Sequence, residues 1–177
     1  MRRFIVVALA GLCFACAAHI PSYQVSGEDS SLRGLDKKVK VVAQTSAFKD
    51  EGSIACRGTG VVALPENQTF TAYIAAALIM ELTAADLASE TSDLVLSMKL
   101  EKVDFSTMLG ATNWYIDTRY EIDQEVILVS TVYNDRSSYL GEKACANMAA
   151  YFQKAVSRHF RQLFNDPVVR QKMKTSK

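Results

Sequence analysis

Histidine is nearly missing from this chain, with two residues in 177, and there is one tryptophan and three prolines. Scarce histidine removes the commonest general base and metal ligand from most positions. His19 lies beside the N-terminal leader, and His159 sits on an apolar helical stripe, where packing is the ordinary role. No Ser-His-Asp or Cys-His arrangement is suggested by a local motif, no zinc spacing occurs, and no dinucleotide glycine pattern appears. Arg57-Gly58-Thr59-Gly60 lacks the Lys-Ser/Thr of a phosphate loop and reads as a turn. Glu81, Glu90 and Asp93, near a helix end, read as solvated acids. A formal net charge of +1 gives no bulk field for nucleic acid. Trp114, Tyr115 and Tyr120 would resemble a base-stacking platform, but alternation turns Trp114 and Tyr120 inward. No metal, cofactor or nucleic acid is therefore expected, and no enzyme activity. Internal repeats and low-complexity runs are also missing.

What the chain has begins with a leader. Arg2 and Arg3 precede an apolar stretch over residues 4–12, then Ala15-Cys16-Ala17-Ala18. That order predicts a secretory signal peptide over residues 1–17, its apolar part too short for a permanent span. Two exits follow. Ala15 and Ala17 suit ordinary cleavage after Ala17. Alternatively Cys13-Phe14-Ala15-Cys16 resembles a lipobox, with Ala15 matching and Cys13 and Phe14 departing, which makes Cys16 the lipidation site. Acyl chains there would anchor the protein to a membrane, each buried methylene contributing about 0.8 kcal/mol.

Beyond the leader only Cys56 and Cys145 remain. An even pair in an exported chain is expected to form a disulfide, worth about 4–5 kcal/mol across so long a loop. A buried thiol pair and a metal site are the alternatives, the second without a histidine nearby in sequence.

Residues 18–36 are polar and read as a flexible tether, or as a partly ordered arm lying on the sheet. One α+β domain is predicted over residues 37–167. Val39, Val41 and Ala43 alternate as a strand, and two short runs follow over residues 53–57 and 61–64. Asn67 or Thr69 caps a helix predicted over residues 69–89. Its stripe is Phe70, Tyr73, Ile74, Ala77, Leu78, Leu82 and Ala85, and Ala75, Ala76, Ile79 and Met80 extend the apolar surface sideways. A helix apolar this far round is covered on several flanks or meets a partner. The expectation is that a second helix covers that flank; exposed, it is the candidate partner surface.

Three strands are predicted over residues 94–105, 112–122 and 125–133, with a phase slip near Glu101-Lys102 and a tight Asp123-Gln124 turn. They read as an antiparallel meander. The second helix spans residues 142–164 and stops at Asp166-Pro167. A basic tail over residues 168–177 is expected to fray. The predicted architecture is one antiparallel sheet, the N-terminal strand plus the meander, with two helices on one face.

These residues carry a resemblance: Cys56-Arg57, Pro65 with Thr69-Phe70 and Tyr73-Ile74, Glu81-Leu82, Val103-Asp104-Phe105-Ser106, Trp114, Ala144-Cys145 and Asp166-Pro167. The chain resembles a group of small, uncharacterised Gram-negative envelope lipoproteins. In element order it is similar to envelope lipoproteins that assist ABC transporters or lipopolysaccharide assembly. The leader, the expected disulfide and the missing catalytic residues together predict a non-enzymatic lipoprotein on the periplasmic side of the envelope, binding an envelope protein or lipid component. A soluble periplasmic carrier is the alternative, with an apolar ligand held between the first helix and the sheet.

Overall fold

A computed structural model describes residues 17–25, 30–58, 60–65, 68–108, 111–136 and 138–175. Cys16, Asn67 and the leader before Ala17 lie outside these residues.

The architecture is α+β, but it has two mixed sheets where one antiparallel sheet was predicted. The strands are β1 (Ala17–His19), β2 (Lys40–Ala43), β3 (Ser53–Ala55), β4 (Val61–Ala63), β5 (Val95–Ser106), β6 (Ala111–Ile122) and β7 (Glu125–Arg136). The helices are α1 (Phe70–Ala84), α2 (Gly141–Asn165) and α3 (Pro167–Lys172). The large sheet has the order β2-β5-β6-β7 and the small one β1-β4-β3. β2 runs parallel to β5, and β1 parallel to β4. The connection from β2 to β5 carries β3, β4 and the whole of α1, so the chain re-enters the sheet in the same direction.

The meander forms as its alternation predicts. Leu96, Met98 and Leu100 of β5 face the core, the register shifts between Leu100 and Lys102, and Val103 then points inward. The extra residue lets two inward sets of opposite phase serve one face. Asp123 and Gln124 both adopt positive φ, the two-residue turn that matches the twist of a hairpin. Inward from β6 come Trp114, Ile116, Thr118, Tyr120 and Ile122, and from β7 Ile127, Val129 and Thr131.

Thr69 caps α1, its hydroxyl accepting from Ala72 N at 3.1 Å. Asp50, nineteen positions upstream in the previous turn, adds a second cap. Its two carboxylate oxygens accept from Phe70 N at 2.8 Å and Thr71 N at 2.7 Å. A carboxylate also suits the positive end of the helix. α2 buries Ala144, Cys145, Met148, Ala149, Phe152, Ala155, Val156, His159, Phe160 and Leu163 on one face. Phe152 is the meeting point: its ring centroid lies 4.5 Å from Trp114, 5.4 Å from Phe70 and 5.3 Å from Tyr73. Trp114 Nε1 donates to the Met148 carbonyl at 2.9 Å, so the indole is both packed and hydrogen-bonded.

Two polar segments are packed on the domain where a flexible tether, or a partly ordered arm, and a frayed tail were expected. Within residues 18–36, His19 ends β1, Ile20, Tyr23, Leu32 and Leu35 are buried, and Ile20 N extends the ladder to the Ala63 carbonyl at 2.8 Å. The tail forms α3, and Val169 and Met173 are buried. Arm and tail lock to each other. Arg170 donates to the carbonyls of Ser31 at 2.6 Å and Arg33 at 2.9 Å, and Met173 O accepts from both Asp36 N and Lys37 N at 3.1 Å. Neither segment has a periodic apolar pattern; a few isolated side chains and backbone groups hold each one down.

Candidate functional site

The titratable groups in the core serve packing. His159 is fully buried, and burial pushes its pKa down to about 3. Its Nδ1 lies 2.8 Å from Thr131 Oγ1 and its Nε2 3.1 Å from the Tyr120 hydroxyl. Thr131 Oγ1 donates to Gln162 Oε1, which leaves it an acceptor toward the ring. A single direction satisfies the whole chain: Tyr120 donates to Nε2, Nδ1–H donates to Thr131, and Thr131 donates to Gln162. The imidazole is neutral, and both nitrogens are engaged.

Glu81, expected in solvent, is buried. The Tyr23 hydroxyl donates to Glu81 Oε1 at 2.6 Å and lies 3.0 Å from Ser157 Oγ. This joins the N-terminal arm, α1 and α2 at one point. Burial first, and the Glu81 bond second, hold the Tyr23 hydroxyl well above the usual tyrosine range. Tyr73, from the same face of α1, donates to the Pro21 carbonyl at 2.9 Å. These residues fasten the arm.

The predicted disulfide is present between Cys56 and Cys145. Beside it Arg57 acts as a clamp between two loops. Its Nε donates to the Thr107 carbonyl at 2.9 Å, and Nη2 donates to the same oxygen. Its Nη1 reaches the carbonyls of Ser138 at 3.2 Å and Tyr139 at 3.4 Å. The fork geometry of a guanidinium permits this many divergent bonds. The β5–β6 loop, the β7–α2 loop and the disulfide thus form one end of the molecule.

The flank singled out on α1 divides. Ala75 is buried, Ile79 is half-buried, and Ala76 and Met80 are exposed. Two of its four residues therefore stay in solvent, where cover by the second helix was expected. Larger apolar exposure lies elsewhere. On the outer face of β7, Leu128 is 73% exposed, with Val126 and Val132 on either side of it. β7 is also an edge strand, twelve residues long and paired with β6 alone in the large sheet. On the two clamped loops, Met108 is 71%, Tyr139 77% and Leu140 61% exposed. Sequence reasoning missed both sets. Alternation in β7 does not say which of its faces is covered, and the loop residues carry no periodicity.

Among the described residues, the side chains where the ligand chamber was expected are buried. Between α1 and the sheet, Phe70, Ile74, Leu78, Leu82, Leu96, Met98 and Leu100 are each at most 1% exposed. A groove of about 560 Å³ lies outside the core, lined by Tyr133, Arg158, Arg161, Gln162, Asn165 and Asp166. Among the described residues no group of three or more His, Cys, Asp or Glu side chains converges to hold a metal, and no helix is long and apolar enough to cross a membrane.

Neither a known family nor a curated protein matches the chain. Solved structures do. A Xanthomonas campestris protein described as a DUF330 family member is similar with a TM-score of 0.55 at 13% identity, over 86% of this chain and 92% of that one. That likeness shows the fold. Two others have lower scores: an uncharacterized protein (TM-score 0.48, 8% identity, 83% and 99% covered) and a hypothetical protein from Chlamydia trachomatis (TM-score 0.37, 10% identity, 73% and 96% covered).

Proposed function

We propose that this protein is an exported lipoprotein of the bacterial envelope, anchored through Cys16, whose domain binds another envelope component and carries out no chemistry. The Cys56–Cys145 disulfide carries the reading, because such bonds persist in oxidising compartments. The leader points the same way, and the buried His159 and Glu81 are consumed by the core.

The outer face of β7 is the binding surface this reading favours. An edge strand offers a row of backbone donors and acceptors, and Val126, Leu128 and Val132 add apolar contact. Ala76 and Met80 on α1 form a smaller second patch. The filled space between α1 and the sheet speaks against a carrier of an apolar ligand. The narrower reading is service beside a transporter or in lipopolysaccharide assembly; it rests on element order alone.

Two measurements test this. Globomycin should retard processing, and palmitate label should follow Cys16 and vanish in Cys16→Ala. A photocrosslinking residue at Leu128 should capture a discrete partner in cells, while one at Glu51, exposed in another part of the fold, should not. Unlabelled protein free in the periplasm sinks the lipoprotein reading, and equal capture at both positions sinks the assigned face.

A further inference from the structure

The chain enters the domain at the end where the exposed loop tips lie. β1 pairs in parallel with β4, and Ala17 is level with Val61. Val61 follows Gly60, whose carbonyl accepts from Cys56 N at 2.8 Å and whose amide donates to the Arg57 carbonyl at 3.2 Å. A Cβ on Gly60 would stand 3.3 Å from Cys145 Sγ. Arg57, in this same turn, holds the loops that bear Met108, Tyr139 and Leu140. Ala17 therefore lies at the disulfide end of the small sheet, beside the turn from which Arg57 reaches the two tip-bearing loops.

The tips are uncharged in sequence. Residues 105–111 read Phe-Ser-Thr-Met-Leu-Gly-Ala, and residues 138–141 read Ser-Tyr-Leu-Gly. The nearest charges along the chain are of both signs: Asp104, Asp135, Arg136, Glu142 and Lys143. Charge alone would not draw this end to an anionic surface. Apolar side chains on short loops, with a tyrosine at the rim, suit the boundary between headgroups and acyl chains.

We infer that Met108, Tyr139 and Leu140 dip into the lipid bilayer in which the acylated Cys16 is anchored, so the domain stands on the membrane by this end. The inference rests on the lipidation of Cys16. A single lipidated residue would leave the domain free to swing. Two apolar tips beside it add further points of contact and set the tilt, holding the outer face of β7, which runs up from the tips, clear of the bilayer.

The test uses the full-length processed protein in vesicles of phosphatidylethanolamine and phosphatidylglycerol, with and without acyl-brominated phosphatidylcholine. Tyr139→Trp and Leu140→Trp report from the tips, Leu128→Trp from the sheet face, and the buried Trp114 is the shared background. Emission of the tip variants should fall about twofold with brominated chains, as expected for side chains at the acyl boundary, and Leu128→Trp should match the parent. Protein that floats with the vesicles but shows no tip quenching overturns the inference and leaves the anchor standing. Quenching of Leu128→Trp in place of the tips also overturns it, because the domain then lies on its sheet. Protein that stays out of the vesicle fraction, with an unmodified Cys16 by mass spectrometry, overturns both.

Discussion

Tyr23 and Glu81 are joined by a 2.6 Å hydrogen bond across 58 positions of sequence, and both are buried. A carboxylate on an otherwise apolar helix is thereby given a donor by a segment that looks like a linker. Tyr23→Phe keeps the ring contacts with Tyr73 and Phe160 but removes that donor. The expected loss is roughly 1.5–3 kcal/mol, the range for bonds to charged groups. Tyr73→Phe breaks only a neutral bond to the Pro21 carbonyl and should cost roughly 0.5–1.5 kcal/mol. Urea denaturation of the two variants checks the order; equal losses would mean that the Glu81 bond has no special weight.

His159 makes stability depend on pH. Its pKa is about 3 in the fold, depressed by burial from the ordinary 6.5. Above pH 6.5 the ring is neutral in both states and costs nothing. As pH falls from 6.5 toward 3 the unfolded chain takes up a proton the folded chain does not. Stability should drop by about 1.4 kcal/mol per pH unit in that window from this residue. Comparing urea midpoints at pH 7.5 and pH 5 measures the slope. His159→Gln, though less stable at every pH, should show a shallower one.

The disulfide and Arg57 stabilise the same end by different means. Cys56 and Cys145 are 89 positions apart, so reduction should cost about 4–5 kcal/mol through freedom regained by the unfolded chain. Arg57→Ala instead frees two loops of the folded state. Amide exchange over residues 105–108 and 138–141 should quicken on the order of tenfold, with little change over β6. Arg57→Lys should not restore protection, since an ammonium cannot span Thr107, Ser138 and Tyr139 together.

Gly52 and Gly58 share positive φ but not surroundings. A Cβ on Gly52 would fall 1.9 Å from the Gln68 carbonyl oxygen, whereas one on Gly58 meets nothing within 4 Å. Gly58→Ala should cost roughly 1–2 kcal/mol, the left-handed penalty alone. Gly52→Ala must also displace the entry to α1, including the Asp50 cap, and should lower the thermal midpoint much further. Similar midpoints for the two variants would contradict the close approach.

Long periodic elements are legible from residues alone. α2 and the meander repeat their apolar positions often enough to fix a face, and the slip near Glu101-Lys102 is a local break in that repeat; α1 is apolar nearly all round, and it stops at Ala84 with Ala85 exposed, short of the predicted end at residue 89. The Thr69 cap and the positive-φ hairpin turn are equally local. Strand direction is not legible. That β2 runs parallel to β5 depends on where α1 delivers the chain, and nothing in the residues of β2 records it.

The surfaces illustrate the same division. Alternation in β7 separates two faces, but which apolar residues stay outside is set by packing: α2 lies against β7, Ile127 and Val129 are buried, and Leu128 is left in solvent. Met108 and Tyr139 are 31 positions apart; the pairing of β6 with both its neighbours sets their loops at one end of the sheet, and the bonds of Arg57 join them. Residue order is enough for the cysteine pair, the long helices, the meander and the expectation of a leader, because these follow from composition and short-range period. The second sheet, the burial of Glu81, the packing of arm and tail, and the shared end of Ala17 and the loop tips arise only when the chain is folded. Each of those depends on contacts between segments far apart in the chain, whose local patterns carry no trace of the partner.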